Sequence, residues 1–225
     1  MNKCDKILTL SDGSTRQLIR YGVGKDKIAR YTYWVSQSIF KPYDKKRSRD
    51  ELGLNYDKII LFVGRLIEIK GIKLLVNIAK KMKDVHFVFI GTGPLESWLK
   101  DESKRHANIH FIGKIENHKI PKYYSIADFL CVPSLYEEGF GRVILEAMSC
   151  GLPVIGSNKG GIPEVINKSV GVLFQPTEAD LKKVINGLYD KNGYKELALK
   201  CQKYAKKHFS ENNGSEICNF YKRGN

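Results

Sequence analysis

A chain of 225 residues that is 42% hydrophobic can bury a substantial core, most simply in one main domain. Its longest apolar runs, such as IILFV, are far too short to span a bilayer, and its five cysteines form no CxxC pair. No basic, apolar and small-residue leader opens it either, so membrane-spanning, disulfide-framework and zinc-ribbon classes drop out and a reducing, cytoplasmic setting is expected. The formal charge of +14 would draw polyanions, anionic lipid or phosphorylated small molecules, yet the lysines are interleaved with acids along the chain. That distribution suits a solvated surface better than a nucleic-acid binder, and it leaves a peripheral membrane contact on the cytosolic face open.

Residues 1–57 are polar, basic and weakly periodic, and end in a charged stretch, KPYDKKRSRDE, that reads as a linker. From residue 58 short apolar runs alternate with helix-period segments. KIILFVG precedes GIKLLVNIAKKMK, VHFVFIG precedes PLESWLKDESKRH, and NIHFIG precedes HKIPKYYSIA. Then DFLCVPS leads through a glycine-rich loop to GRVILEAMSC, LPVIGS follows, and VGVLF leads to EADLKKVINGLYD. Six strands, each with a crossover, predict an α/β fold: a Rossmann-like, doubly wound, parallel six-stranded sheet over residues 58–208. The lysine-rich segment from Lys191 onward has a helical pattern broken near ENNG, and residues 209–225 are expected to form a C-terminal helix.

In such a sheet ligands bind beyond the carboxyl ends of the strands, where helix N-termini offer free N–H groups. Four loops there are unusual: GRLIEIKG (64–71), GTGP (91–94), GKIEN (113–117) and PSLYEEGFG (133–141), and all four should line one edge. Gly139, Phe140 and Gly141 open a helix and let backbone amides approach an oxygen-rich ligand such as a diphosphate. Arg142, Glu146 and Ser149 fall at i, i+4 and i+7, a polar stripe facing either water or a cleft. Arg65 and Lys70, two cations in one strand-to-helix loop, can stabilise a phosphate leaving group. The GTG of 91–93 has Glu96 where a third glycine should stand and reads as a turn. The chain has no GxxxxGK[ST], GxSxG, HExxH or DxD motif, and its histidines are scattered with no metal-ligand spacing.

With these residues in view, the chain resembles the C-terminal half of family-4-type retaining glycosyltransferases of the GT-B fold. The likeness is carried by Glu138 to Glu146, an E-x7-E pattern within PS…EGFG…LEAMSCGLPVI, with VGRLIEIKG, FIGTGPL, NIHFIGKI, ADFLCVPS and GGIPEVI in support. The resemblance implies that Glu146 holds the ribose of a nucleoside diphosphate sugar, UDP- or GDP-hexose, with no further cofactor and no metal. It implies that Glu138 and the amides of Gly139, Phe140, Gly141 and Arg142 hold sugar and diphosphate. Gly64, Arg65 and Lys70 match the segment that contacts the diphosphate, so that Glu138, Arg65 and Lys70 would carry the chemistry. Lys114 and Ile115 match the segment that meets the base, while Gly160 and Gly161 look like a structural turn. In that family an N-terminal domain supplies a glycan or lipid-linked acceptor site; here only residues 1–57 resemble its end, and YWVS replaces the commoner NGVD near residues 33–36. A non-catalytic nucleotide-binding partner of a separately encoded N-terminal half is the alternative.

Overall fold

The computed structural model describes residues 4–189 and 194–222. In chain order its elements are β1 (Ile7–Thr9), α1 (Asp12–Arg20), β2 (Ile28–Arg30), α2 (Lys45–Leu52), β3 (Ile59–Val63), α3 (Ile72–Lys81), β4 (His86–Ile90), α4 (Glu96–Arg105) and β5 (Ile109–Gly113). They continue as α5 (Ile120–Ile126), β6 (Phe129–Val132), α6 (Arg142–Ser149), β7 (Val154–Ser157), α7 (Ile162–Val165), β8 (Gly171–Phe174), α8 (Glu178–Tyr189), α9 (Tyr194–His208) and α10 (Gly214–Lys222).

The six predicted strands pair in parallel in the order β5-β4-β3-β6-β7-β8, so the chain works outward from β3 to one edge and then returns to build the other. The alternation of side chains along each strand divides the core in two. Ile59, Leu61, Val88, Ile90, Leu130 and Val154 face one way, against α5, α6 and α9. Ile60, Phe62, Phe87, Phe89, Phe129 and Ile155 face the other, against α3, α4 and α8. Both faces being covered explains why these strands read as unbroken apolar runs rather than as alternating ones.

Two stretches that lack a clear sequence signal are ordered by contacts from elsewhere. The expected linker forms α2, capped by Asp44, whose carboxylate accepts from the Arg47 amide at 2.7 Å. Lys45 and Arg49 of this helix converge on the buried Asp128 at the start of β6, which also accepts from the Ile59 amide at 2.7 Å. Residues 7–30 form a βαβ unit in which β1 and β2 pair in parallel. Its strands are only three residues long, too short for periodicity to show. Glu164 ties α1 to the main body, accepting from the amides of Asp12 and Gly13 at 2.9 and 3.1 Å. The carboxylate of Glu216 in α10 accepts from the Thr32 amide at 2.9 Å, returning the C-terminus to the same region. Lys191, where the C-terminal helical segment was expected to start, lies outside the described residues, as do Asp190 at the end of the preceding helix segment and residues 223–225 at the chain's end.

The histidines are less scattered than expected. His86 and His110 lie on adjacent strands with Nδ1 and Nε2 2.9 Å apart, and the Tyr56 ring stacks on His86 at a centroid distance of 3.6 Å. This cluster sits where β4 and β5 begin, at the end of the sheet opposite the ligand-binding edge.

Candidate functional site

The order of the strands reverses between β3 and β6, and their carboxyl ends leave the crevice at which open α/β sheets take ligands. Its walls are the loops 64–71 and 133–141, which are joined at several points. The Leu135 amide donates to the Ile69 carbonyl at 2.8 Å. Gly71, in the left-handed region at φ 74°, passes so close that a Cβ there would stand 1.8 Å from the Pro133 carbonyl oxygen.

Across this junction Lys70 donates to Glu138, and the Ser134 hydroxyl donates to the other oxygen of the same carboxylate. Glu138 is 8% exposed, and the Tyr136 ring lies 5.2 Å from the Lys70 ammonium. A carboxylate held by two donors on opposite sides is fixed in orientation, and an ammonium beside it is fixed too. Behind the loop, the GGIPEVI turn provides a wall. Gly161 donates its amide to the Glu138 carbonyl at 2.6 Å, and a Cβ on Gly160 would meet the Glu138 backbone at 2.4 Å. The GTGP loop supports the other wall, with the Leu66 amide donating to the Thr92 carbonyl at 2.8 Å.

Gly64 and Arg65 occupy the turn just after β3. Arg65 is exposed and pairs with no carboxylate among the described residues. Gly139, Phe140 and Gly141 lead into α6, and Gly141 in the left-handed region is its N-cap. The Phe140 side chain packs against Tyr33 and Phe209, which leaves its backbone as the part available to a ligand. Lys114 is exposed and Ile115 half-buried, both following β5 at the outer edge of the sheet.

The stripe on α6 is divided between an exposed end and a buried one. Arg142 is half exposed, but Glu146 and Ser149 are each only 4% exposed. Glu146 accepts from the Tyr124 hydroxyl of α5 at 2.9 Å and from Arg142 Nε at 2.9 Å. Burial raises the Glu146 carboxyl above the usual range, against the opposing pull of Tyr124 and Arg142. The same burial, with the Glu146 charge, pushes the Tyr124 phenol well up, so it stays a donor.

The predicted residues therefore gather on one edge of the sheet. Lys70 and Glu138 touch, and Gly64, Arg65, Gly139, Phe140, Gly141 and Arg142 border them in sequence. The open depression beside Glu138, about 370 Å³, is lined by Glu137, Glu138 and Gly160 from the main body and by residues of α1. Arg65, Lys70 and Glu146 do not line it. Sequence reasoning missed Ser134, although it lies inside the loop singled out, because a hydroxyl four residues before a carboxylate has no distinctive pattern. It also missed Tyr124, whose partnership with Glu146 exists only in three dimensions.

A parallel sheet ordered in this way, with a lysine and a buried glutamate meeting over its switch point, defines a Rossmann-like ligand-binding domain. Residues 44–208 match the family model described as Glycosyl transferases group 1, and the chain belongs to that family. It corresponds to the C-terminal half of the GT-B fold. Among curated relatives, it is 36% identical over 137 residues to spore coat protein SA of Bacillus subtilis, covering 55% of this chain and 36% of that protein. It is 29% identical over 181 residues to D-inositol 3-phosphate glycosyltransferase of Mycobacterium tuberculosis, covering 76% of this chain and 37% of that one.

Among solved structures, sucrose-phosphate synthase from Thermosynechococcus elongatus superposes with a TM-score of 0.88 at 25% identity, over 98% of this chain and 58% of that one. HepE from Anabaena, solved in complex with UDP and glucose, gives 0.88 at 23% identity over 97% and 63%. The C-terminal domain of LpcC from Francisella tularensis gives 0.69 at 24% identity, over 79% of this chain and 99% of that domain. The chain thus spans little more than a third of the length of the curated relatives it matches. Among the described residues no helix is long and apolar enough to cross a membrane.

Proposed function

We propose that this chain is the donor-binding half of a retaining hexosyltransferase and takes a nucleoside diphosphate hexose, with UDP the first nucleotide to test. The observation that carries the reading is the meeting of Lys70 and Glu138 across the switch point, a cation and a carboxylate fixed side by side. In the transfer, the bond between the anomeric carbon and the diphosphate oxygen breaks while an acceptor hydroxyl oxygen bonds to that carbon. The hydroxyl proton leaves with the departing diphosphate. Arg65 and Lys70 hold the negative charge that grows on the leaving group, the stage at which a preorganised cation contributes most. The amides of Gly139, Phe140, Gly141 and Arg142 add donors at the helix start, and Glu138 orients the sugar hydroxyls. Lys114 and Ile115 meet the base.

Glu146 is assigned to the ribose. Its bond to Arg142 covers it, so donor binding must swing that half-exposed guanidinium aside and let ribose hydroxyls take its place. Most of the acceptor site belongs to the N-terminal half that the longer relatives carry, so this chain alone should bind donor and transfer little. The alternative, a nucleotide-binding partner without chemistry of its own, differs in outcome once an N-terminal half is supplied.

Isothermal titration of the chain with UDP, GDP and ADP tests the reading. Binding of at least one of them below the millimolar range is expected, weakened tenfold or more by Lys70→Ala and by Arg65→Ala. Millimolar or absent binding of all three, or indifference to both substitutions, sinks it.

A further inference from the structure

The depression beside Glu138 has a second wall that the donor reading does not use. It is made by α1, where Arg16 and Arg20 stand one turn apart, at i and i+4, and line the depression together with Ser14 and Gln17. Both arginines are exposed, and neither forms an ion pair or hydrogen bond among the described residues. Two guanidiniums left together, lining a concave site about 370 Å³ in volume, form an anion-binding wall.

The wall is held at a set distance from the chemistry. Glu164 of α7 accepts from the first amides of α1 at 2.9 and 3.1 Å, and Arg30 bridges Glu164 and Asp12. The same short helix follows Gly161, whose amide donates to the Glu138 carbonyl, so one turn of chain positions both α1 and Glu138. A Cβ on Gly161 would lie 3.0 Å from that of Ser11, and one on Gly139 3.9 Å from the Ser14 hydroxyl, so the two walls approach within contact of each other at their base. The depression is therefore two-sided: Glu137, Glu138 and Gly160 form one wall, and α1, with its two arginines, forms the other, suited to an anion.

We propose that the depression is an acceptor subsite for a sugar or polyol bearing a phosphate monoester. The phosphate sits between Arg16 and Arg20, and the hydroxyl-bearing ring is turned toward Glu138. A dianionic phosphate with three terminal oxygens can satisfy two guanidinium forks at once, which a single carboxylate does less completely. The proposal rests on the donor reading for the direction of transfer, but its binding claim is independent of it.

Glucose 6-phosphate, glucuronate and glucose serve as probes, each titrated into the chain with and without saturating UDP. Glucose 6-phosphate is expected to bind, glucuronate at least fivefold more weakly, and neutral glucose not measurably. Arg16→Ala and Arg20→Ala should each weaken glucose 6-phosphate tenfold or more while leaving UDP affinity within twofold. Both side chains are exposed, so the variants should keep the wild-type melting temperature. The proposal is overturned by no binding of glucose 6-phosphate to the wild-type chain, by binding indifferent to both substitutions, or by equal binding of glucose. A parallel loss of UDP affinity also overturns it, because the arginines would then serve the donor diphosphate. Preference for glucuronate overturns the phosphate assignment in favour of a carboxylate. If UDP fails to bind but the arginine-dependent binding of glucose 6-phosphate remains, the donor reading fails and the anion subsite stands.

Discussion

Replacing Gly71 by alanine tests the close approach of the two loops on which the candidate site depends. The new methyl would stand 1.8 Å from the Pro133 carbonyl oxygen, about half the separation at which ordinary contact begins. The obstacle is backbone at the buried end of β6, not the tip of a side chain, so no rotamer change relieves it. Holding a non-glycine residue in the left-handed region costs about 1–2 kcal/mol. Overpacking a well-filled site adds about 1–3 kcal/mol. Together a loss of about 2–5 kcal/mol is expected, which lowers the melting temperature of a chain this size by roughly 4–20 °C. If the fold survives, the loops must part, and the contact between Lys70 and Glu138 parts with them. UDP affinity, measured by titration well below the new melting temperature, should fall tenfold or more. A variant that melts within 2 °C of wild type, on the order of 1 kcal/mol or less by the same scale, would show that the loops do not approach in this way.

Three further outcomes are expected. Gly187 lies within α8 with nothing within 4 Å of where a Cβ would stand, so Gly187→Ala should stabilise the chain by about 0.5–1 kcal/mol in denaturant unfolding. Tyr124→Phe removes a donor from the buried Glu146 and should cost about 1–3 kcal/mol at neutral pH. Because Glu146 already titrates above its unfolded value and would rise further, its protonated form is favoured in the folded chain. The penalty should shrink as the pH is lowered toward 4.5, and an equal penalty at both pH values would contradict this account. His110 is pushed down to about 4, first by burial and then by the charge of His86. The unfolded chain therefore binds the proton more readily between about pH 6.5 and 4, and folded stability should decline across that window as the pH falls. The group is only half-buried, so the decline assigned to it is held to about 1–2 kcal/mol, and His110→Gln should remove it from the pH profile.

How much of this was legible beforehand depended on whether the signal was local. The six strands and their crossovers could be read because each strand is covered on both faces, which forces an unbroken apolar run such as Ile59 to Val63 between helix-period segments. The loops that meet at the switch point could be read for the same reason: parallel topology alone puts residues 64–71 and 133–141 at one end of the sheet. The short strands of residues 7–30 could not, because three residues of pairing are stabilised by contacts to Glu164 and Glu216, more than a hundred residues away. Nor could α2, whose polar, lysine-rich sequence becomes a docked helix only through the buried Asp128.

The chain's own residue pattern determined a doubly wound sheet and which of its loops carry cations, carboxylates and glycines. Tertiary structure decided which of those groups meet. Lys70 and Glu138 are 68 residues apart and touch because two strands adjoin, Glu146 is shut in by a tyrosine from another helix, and Arg16 and Arg20 line the depression beside Glu138 because Glu164 anchors α1. Backbone periodicity is written in neighbouring residues, whereas the pairing of distant side chains depends on loop paths and close backbone approaches that no short window of sequence encodes.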